Sequence, residues 1–299
     1  MMPSWCALIL CAQEIFLDFL ILCSDLCVCG TFVVVFLQLR KSRSAAGLSL
    51  QTLATVVGAR VIHLISHNIQ LHYSPTVLPW FIYPTMDVVS ACAGVALLVS
   101  FCMYYFPSYE KEKDNFGIHI FERLEIVAKD SPLKTSPAVA ASFLYSVVAV
   151  LAFLWYFVRK SQRSFLVSYF CCYYEAMGAV ALIPQLWMFH QDKRVSPLLA
   201  NFVVLTAMHR IFTLAFWISY PRIFVWRYPD NRGIQMASET LNLLILSDFL
   251  FYWVRSKLRG DSEVIIGDGM MVWVRAKSAV NWQGKTSMIR KKERVGGTP

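Results

Sequence analysis

The chain has 299 residues, of which 57% are hydrophobic and only 16% charged, and it carries a net charge of +9. Soluble domains hold about 45–50% apolar and about 25% charged residues, so this composition, with a mean hydropathy of +0.51, points to a membrane protein. It excludes a disordered chain and a coiled coil. The basic residues crowd between long uncharged windows, which is the pattern of membrane topology and not of nucleic-acid recognition.

Seven apolar windows predict an all-α membrane protein of seven transmembrane helices. They are Phe16–Leu39, Leu48–Leu71, Pro79–Phe106, Pro137–Val158, Phe165–Phe189, Leu198–Tyr220 and Ile234–Val254. Residues 1–12 read as a lumenal N-terminus, 13–256 as the transmembrane domain and 257–299 as a cytosolic, partly disordered basic tail. Met1–Ile15 has no Lys or Arg ahead of its apolar run, which argues against a cleavable signal peptide. The connection Pro107–Ser136, with Glu110-Lys111-Glu112-Lys113-Asp114, reads as a solvated loop. Lys291-Lys292-Glu293-Arg294 reads either as a sorting signal or as a solubilising tail.

Lys and Arg fix the orientation. One side collects Arg40, Lys41, Arg43, Lys111, Lys113, Arg123, Lys129, Lys134, Lys193, Arg194 and the ten basic residues from Arg255 to Arg294; the other has Arg159, Lys160, Arg163, Arg222, Arg227 and Arg232. The excess favours a lumenal N-terminus and a cytosolic C-terminus. The nine cysteines lie in or beside apolar windows without spaced CxxC pairs and histidine partners; they read as buried small hydrophobes and not as zinc ligands. Hydrolase, kinase and redox motifs are not found, so the chain does not read as an enzyme and no cofactor is expected.

Arg60 and Arg210 alone among the basic residues fall inside spans. Arg60 lies twelve residues beyond Leu48, and Arg210 twelve beyond Leu198, after two basic turns, Arg40–Leu48 and Asp192–Leu198, that resemble one another. The echo suggests two three-helix units plus a linker helix, as in small transporters built from parallel repeats. Twelve residues rise about 18 Å, near the middle of an apolar slab about 30 Å thick. A guanidinium at mid-depth costs at least about 2.5–3.5 kcal/mol, so each Arg needs a carboxylate or a polar cavity. Asp18, Asp25, Asp87, Glu175, Glu239 and Asp248 are the acids within reach of the spans. Two readings stay open: structural Arg–carboxylate pairs, or a cavity whose arginines grip an anionic ligand.

Lys41-Ser42-Arg43-Ser44-Ala45-Ala46-Gly47-Leu48-Ser49 resembles the corresponding block of the ER lumen protein-retaining (KDEL/HDEL) receptors, a family whose fold is related to PQ-loop and SWEET transporters. Tyr174-Glu175-Ala176, Leu182-Ile183-Pro184-Gln185-Leu186, His209-Arg210 and Ser247–Trp253 continue the resemblance in order over about residues 13–260. It implies a receptor that binds the C-terminal tetrapeptide of escaped ER-resident proteins in the Golgi, returns in COPI-coated vesicles and releases its cargo at neutral pH. The implied membranes are those of the endoplasmic reticulum and Golgi. By the same resemblance Arg60, Glu175, Arg210 and Asp248 occupy functional positions, and His209 stands where the family has Tyr. The departures are in the pocket: Ile21 and Val28 replace the first-helix Arg and His, His63 replaces the acid one turn after Arg60, Phe216 and Tyr220 replace an Asn and an Arg, Phe165–Cys172 has no acid or Trp, and Asp261-Ser262 fall where the tail lysines would be.

The expected ligand-binding residues are therefore Arg60, His63, Glu175 and Arg210, with Asp25, His209 and Asp248 as polar partners. Arg60 would take the terminal carboxylate, and Arg210 a second one or Glu175. His63 shares a helix face with Arg60 and would either sense pH or serve as a hydrogen-bonded core residue. The other functions considered are a PQ-loop or SWEET-like transporter of a small solute, and a receptor-like protein that binds no retention signal.

Overall fold

The computed structural model describes residues 4–70, 82–118, 137–159, 165–220 and 232–267. Its helices are α1 (Ser4–Ser42), α2 (Leu50–Gln70), α3 (Ile82–Ser100), α4 (Pro137–Arg159), α5 (Phe165–Val180), α6 (Ile183–Asp192), α7 (Pro197–Ser219) and α8 (Arg232–Arg259). Each apolar window thus carries helix. Among the described residues, four stretches are long and apolar enough to cross a bilayer: Ile15–Ser42, Thr85–Ser108, Ala141–Val158 and Pro197–Ser219. The α1 helix begins at Ser4, so most of the expected N-terminal segment 1–12 belongs to it.

The fifth window is broken. Pro184 has no N–H to give the carbonyl four residues back, and the chain turns at Ala181-Leu182 before α6 starts. Helix α3 also changes form, passing through a π turn at Phe101–Tyr105 and a 3-10 turn at Phe106–Ser108, where Pro107 ends it. Two N-caps start the helices that carry the arginines: Ser49 Oγ accepts from Thr52 N–H at 3.1 Å, and Ser196 Oγ accepts from Leu199 N–H at 3.4 Å, with Pro197 at the first helical position. Counted from these caps, Arg60 lies eleven residues in and Arg210 fourteen. The equal spacing from Leu48 and Leu198 therefore conceals a shift of about 4.5 Å along the helix.

The packing pairs are α1 with α7 and α3, α2 with α3 and α5, α7 with α8, α5 with α8, and α4 chiefly with α5. One core joins Val28, Phe32, Leu48, Val57, Phe101, Phe189, Phe202 and Phe249, and a smaller one joins Leu144 and Val148 to Ala176 and Met177. Large apolar side chains also cover the outside, among them Phe19, Val33, Phe153, Phe157 and Phe251; the bilayer covers such faces in a membrane protein.

At the end of the bundle that holds the tail, the expected solvated loop keeps Lys111 and Glu112 exposed, but its residue Asp114 is buried and forms part of a clamp. Asp114 is 2% exposed. It accepts hydrogen bonds from Ser49 Oγ at 2.8 Å, Gln51 N–H at 3.2 Å and Tyr109 Oη at 2.6 Å, while Gln51 Nε2 donates to its carbonyl at 2.7 Å. Gln185, fully buried, completes the clamp: its Oε1 accepts from Ser49 N–H at 2.9 Å and its Nε2 donates to Gly47 C=O at 2.7 Å. Glu110 accepts from Gly47 N–H at 3.0 Å, and Lys113 joins Glu110 to Asp192 at 2.8 and 2.7 Å. Gly47 sits at φ 78°, the left-handed region that glycine tolerates without strain. Asp114 is drawn in because the Ser49 hydroxyl and the Gln51 N–H at the start of α2 need acceptors, while Leu48 N–H and Ala46 N–H are met within the turn itself.

The tail is likewise partly docked, against the expectation of an exposed segment beyond Gly260. Val264–Ile265 (β2) pairs antiparallel with Arg194–Val195 (β1), Ile266 N–H donates to Lys193 C=O at 2.9 Å, and Val264 and Ile266 are buried. The Lys291–Arg294 motif lies outside the described residues.

Replacing Gln185 by Leu strands the buried Ser49 N–H and Gly47 C=O. At about 1–3 kcal/mol for each unsatisfied group, Gln185→Leu is expected to destabilise the purified protein by about 2–4 kcal/mol in denaturant or thermal unfolding. A second expectation concerns pH. Burial pushes the Asp114 carboxyl above the usual carboxylate range, against the opposing pull of Tyr109, Ser49 and Gln51. A raised native pKa gives stability that is present below the ordinary value near 4 and lost as pH rises through the native one. Stability should therefore fall as pH rises above the ordinary carboxylate value more in the wild type than in Asp114→Asn.

Candidate functional site

The site is a polar layer across the helices. On α2, Arg60 and His63 stand one turn apart and both face Asp87 of α3. The Arg60 Nη1–Asp87 Oδ1 distance is 3.6 Å and the His63 Nδ1–Asp87 Oδ1 distance 3.5 Å. Asp87 is 5% exposed and Arg60 13%, whereas His63 retains 28%. The edge of the His63 ring meets Tyr174 of α5, with centroids 5.0 Å apart. Arg60, Asp25 and Asp87 all lie within electrostatic reach of Cys29 on α1, so Asp25 borders the same region.

The second cation is held more tightly. Arg210 Nη1 donates to Glu239 Oε1 of α8 at 2.9 Å, and Glu239 is 2% exposed. The guanidinium lies against α5 at Gly178, where an added Cβ would stand 2.5 Å from Nη2. No larger residue fits there without moving Arg210. The neighbouring carbonyls of Gly178 and Ala179 accept from Asn242 Nδ2 at 2.9 and 3.0 Å. These carbonyls lie in the last turn of α5, where the break before Pro184 removes their helical donors. Asn242 from α8 supplies the replacement.

Glu175 is buried and accepts a hydrogen bond from Gln235 of α8. His209 bonds Ser24 Oγ of α1 at 2.6 Å, and Ser24 bonds Thr213 at 2.9 Å. Both arginines act on the Glu239 carboxylate, and both act on His209, which puts the two cations in one electrostatic neighbourhood.

The structure thus brings together Arg60, His63, Glu175, Arg210, Asp25 and His209. One expected pairing is corrected. Arg210 takes Glu239, not Glu175, because Glu239 lies across the α7–α8 contact while Glu175 is occupied by Gln235. Asp248 stands nine residues beyond Glu239 on α8, about 13 Å along the helix, and so belongs to another level of the bundle. Residue spacing did not single out Gln235, Asn242 or Gly178, and it gave Asp87 and Glu239 only as two acids among six. Their partners lie on helices distant in sequence; only the need of a buried guanidinium for an acid pointed their way. Among the described residues, carboxylates outnumber guanidiniums in this layer.

A model of the ER lumen protein retaining receptor family matches residues 44–220, more than half of the chain. The chain belongs to this family. It is also 24% identical over 240 residues to the ER lumen protein-retaining receptor of Dictyostelium discoideum, an alignment covering 79% of this chain and 93% of that protein. The family match takes in Arg60, His63, Asp87, Glu175 and Arg210 and stops before α8. Glu239, Gln235 and Asn242, which complete the layer of this receptor, therefore come from a part of the chain that the match does not reach.

Removing Arg210 alone leaves Glu239 buried without its cation. Breaking such a pair costs about 3–5 kcal/mol, so Arg210→Met is expected to lower unfolding stability by that order, and the double variant Arg210→Met with Glu239→Leu by less. Gly178→Val should destabilise the receptor by displacing the guanidinium, and should do so less once Arg210 is Met.

Proposed function

We propose that this receptor retrieves escaped ER-resident soluble proteins by binding their C-terminal KDEL- or HDEL-like signal in the Golgi and returning them to the endoplasmic reticulum. Its cytosolic partners in that cycle are COPI coat components, and the seven helices span the bilayer with the N-terminus in the lumen. The accompanying fold reading is two three-helix units, α1–α3 and α5–α8 with α5 and α6 as one broken rod, linked by α4. Its support is the packing: α2 with α3 answers α7 with α8, α1 with α3 answers α5 with α8, and α1 with α7 answers α5 with α2.

The observation that carries the functional reading is the unequal state of the two arginines. Each guanidinium keeps one buried nitrogen without a hydrogen-bond partner among the described residues, Arg60 Nη2 and Arg210 Nε, but Arg210 is engaged with Glu239 at 2.9 Å while the Arg60–Asp87 pair is stretched to 3.6 Å. Arg60 is therefore the cation that a terminal carboxylate can take over, and Asp87 is the group it displaces. His63 gives that exchange a proton dependence. Neutral, it leaves Asp87 to Arg60; protonated, it supplies Asp87 with a second cation and frees Arg60 for cargo. The groups around His63 are Asp87 on α3, Arg60 on its own helix, Tyr174 on α5 and, within electrostatic reach, His209 on α7. Binding then strengthens as pH falls and His63 takes up a proton, the sense needed for capture in an acidic compartment. Against a transporter stands the clamp of Asp114, Gln185, Ser49 and Gln51, which packs the tail end of the bundle among the described residues with buried side chains hydrogen-bonded to the α1–α2 turn.

The test is binding of an HDEL-terminated peptide to the purified full chain at pH about 5.5 and about 7.4. Tighter binding at the lower pH is expected. Loss of a charge-assisted bond, about 1.5–3 kcal/mol, should weaken binding at least about tenfold in Arg60→Gln, and His63→Ala should flatten the pH ratio. No peptide binding at either pH overturns the receptor reading. An unchanged pH ratio in His63→Ala overturns the switch alone.

A further inference from the structure

We propose that the tail end of α8 carries a binding site for the phosphodiester headgroup of an anionic phospholipid, held between Arg255 and Arg259. The lipid-facing stripe of α8 fixes where the site stands. Leu244, Phe251 and Leu258 recur every seven residues along one face at 64%, 62% and 84% exposure. Such a line is apolar because acyl chains cover it, and Leu258 marks its last level. Arg255 lies one turn beyond Phe251 and Arg259 one turn beyond Arg255, so both guanidiniums leave the helix beside that stripe at the depth where the hydrocarbon ends. Long basic side chains at this level keep their stems in the apolar region and their heads among the phosphates.

Here the two heads also border a hollow. Between α8 and the folded-back tail lies a space of about 140 Å³, lined by Tyr252, Arg255, Arg259, Asp261 and Ile265 among others. Its outer wall is built: β2 pairs with β1, Ser256 Oγ donates to Glu263 C=O at 2.7 Å, and the Tyr252 hydroxyl lies against Gly267. Neither Arg255 nor Arg259 has an ion pair or a side-chain hydrogen bond among the described residues, although Asp261 lines the same hollow. Two guanidiniums against one carboxylate leave one positive charge, the complement of a singly charged phosphodiester and not of a polyphosphate. The choice of an anionic lipid rests on the proposed cytosolic placement of the tail, since the cytosolic leaflet holds the anionic lipids. The guanidiniums and the hollow do not depend on cargo binding.

The experiment measures lipid retention by the purified full chain in detergent, with native mass spectrometry as readout and phosphatidylserine, phosphatidylcholine and water-soluble glycerophosphoserine as probes. Phosphatidylserine should bind in preference to the other two. At the strength typical of basic residues beside an anionic surface, Arg255→Gln with Arg259→Gln should weaken it about thirtyfold. Lys257→Gln, two residues from each arginine and outside the hollow, should leave it unchanged, and Asp261→Asn should tighten it, a gain that misfolding cannot produce. Wild-type affinity in the double variant overturns the site, and an equal loss in Lys257→Gln reduces it to unspecific surface attraction. Equal binding of phosphatidylcholine overturns the anionic preference, and equal binding of glycerophosphoserine makes the ligand a soluble phosphodiester. HDEL-peptide binding, measured on the same variants, should not change; failure of the lipid site and failure of the receptor reading are thus read separately.

Discussion

A guanidinium in a layer without bulk water must have a carboxylate beside it, and this constraint organises the protein. Arg60 and Arg210 sit on helices that are not adjacent in the chain, and each draws its acid from the next long helix: Asp87 on α3, Glu239 on α8. Each pair fixes the rotation and height of two helices at once. Apolar packing between smooth rods in lipid specifies neither well, because lipid tails are as apolar as the side chains they would replace. The remaining polar contacts, Glu175 to Gln235 and His209 to Ser24, tie α5 to α8 and α7 to α1. The layer is therefore the registration mark of the bundle, and in the proposed receptor reading a ligand carboxylate that enters it competes with groups that hold the helices in place.

The break at Pro184 connects this layer to the opposite end of the molecule. By ending α5 at Val180 it leaves the carbonyls of Gly178 and Ala179 to Asn242, beside the groove in which Arg210 lies. By restarting the rod at Ile183 it aims Gln185 at Ser49 and Gly47. One short irregular segment thus serves the arginine layer on one side and the clamp on the other.

How legible this was differs by level. The apolar windows gave the helices because their period and length are set by the chain alone, and the two interior arginines stood out because charge is rare there. The resemblance at Lys41–Ser49 and at Leu182–Leu186 falls on the very residues whose backbone the clamp holds. What spacing could not give was partnership. Nothing local distinguishes Asp87 from Asp25, or Glu239 from Glu175, since the selection is made by helix contacts formed across scores of residues. Glu110–Asp114 read as solvated because five charged residues in a row ordinarily are; Asp114 is buried because the α1–α2 turn needed acceptors, a demand invisible from its own neighbourhood. The tail strand failed for a related reason, its two buried residues being too few to register as an apolar run.

The pocket departures gain a physical sense from the same pairing. With Ile21 and Val28 on α1, that helix contributes no cation to the layer, and its polar link to α7 runs through Ser24 and His209 instead. Positive charge is then limited to two guanidiniums, one of them committed at 2.9 Å to Glu239. On the proposed receptor reading, recognition of an anionic cargo concentrates on Arg60, and its strength depends on how readily Asp87 lets go. On that reading, a stretched pair shared with a partly exposed histidine is the arrangement in which release costs least, because the acid already stands at about equal distance, 3.6 and 3.5 Å, from the Arg60 guanidinium and the His63 ring.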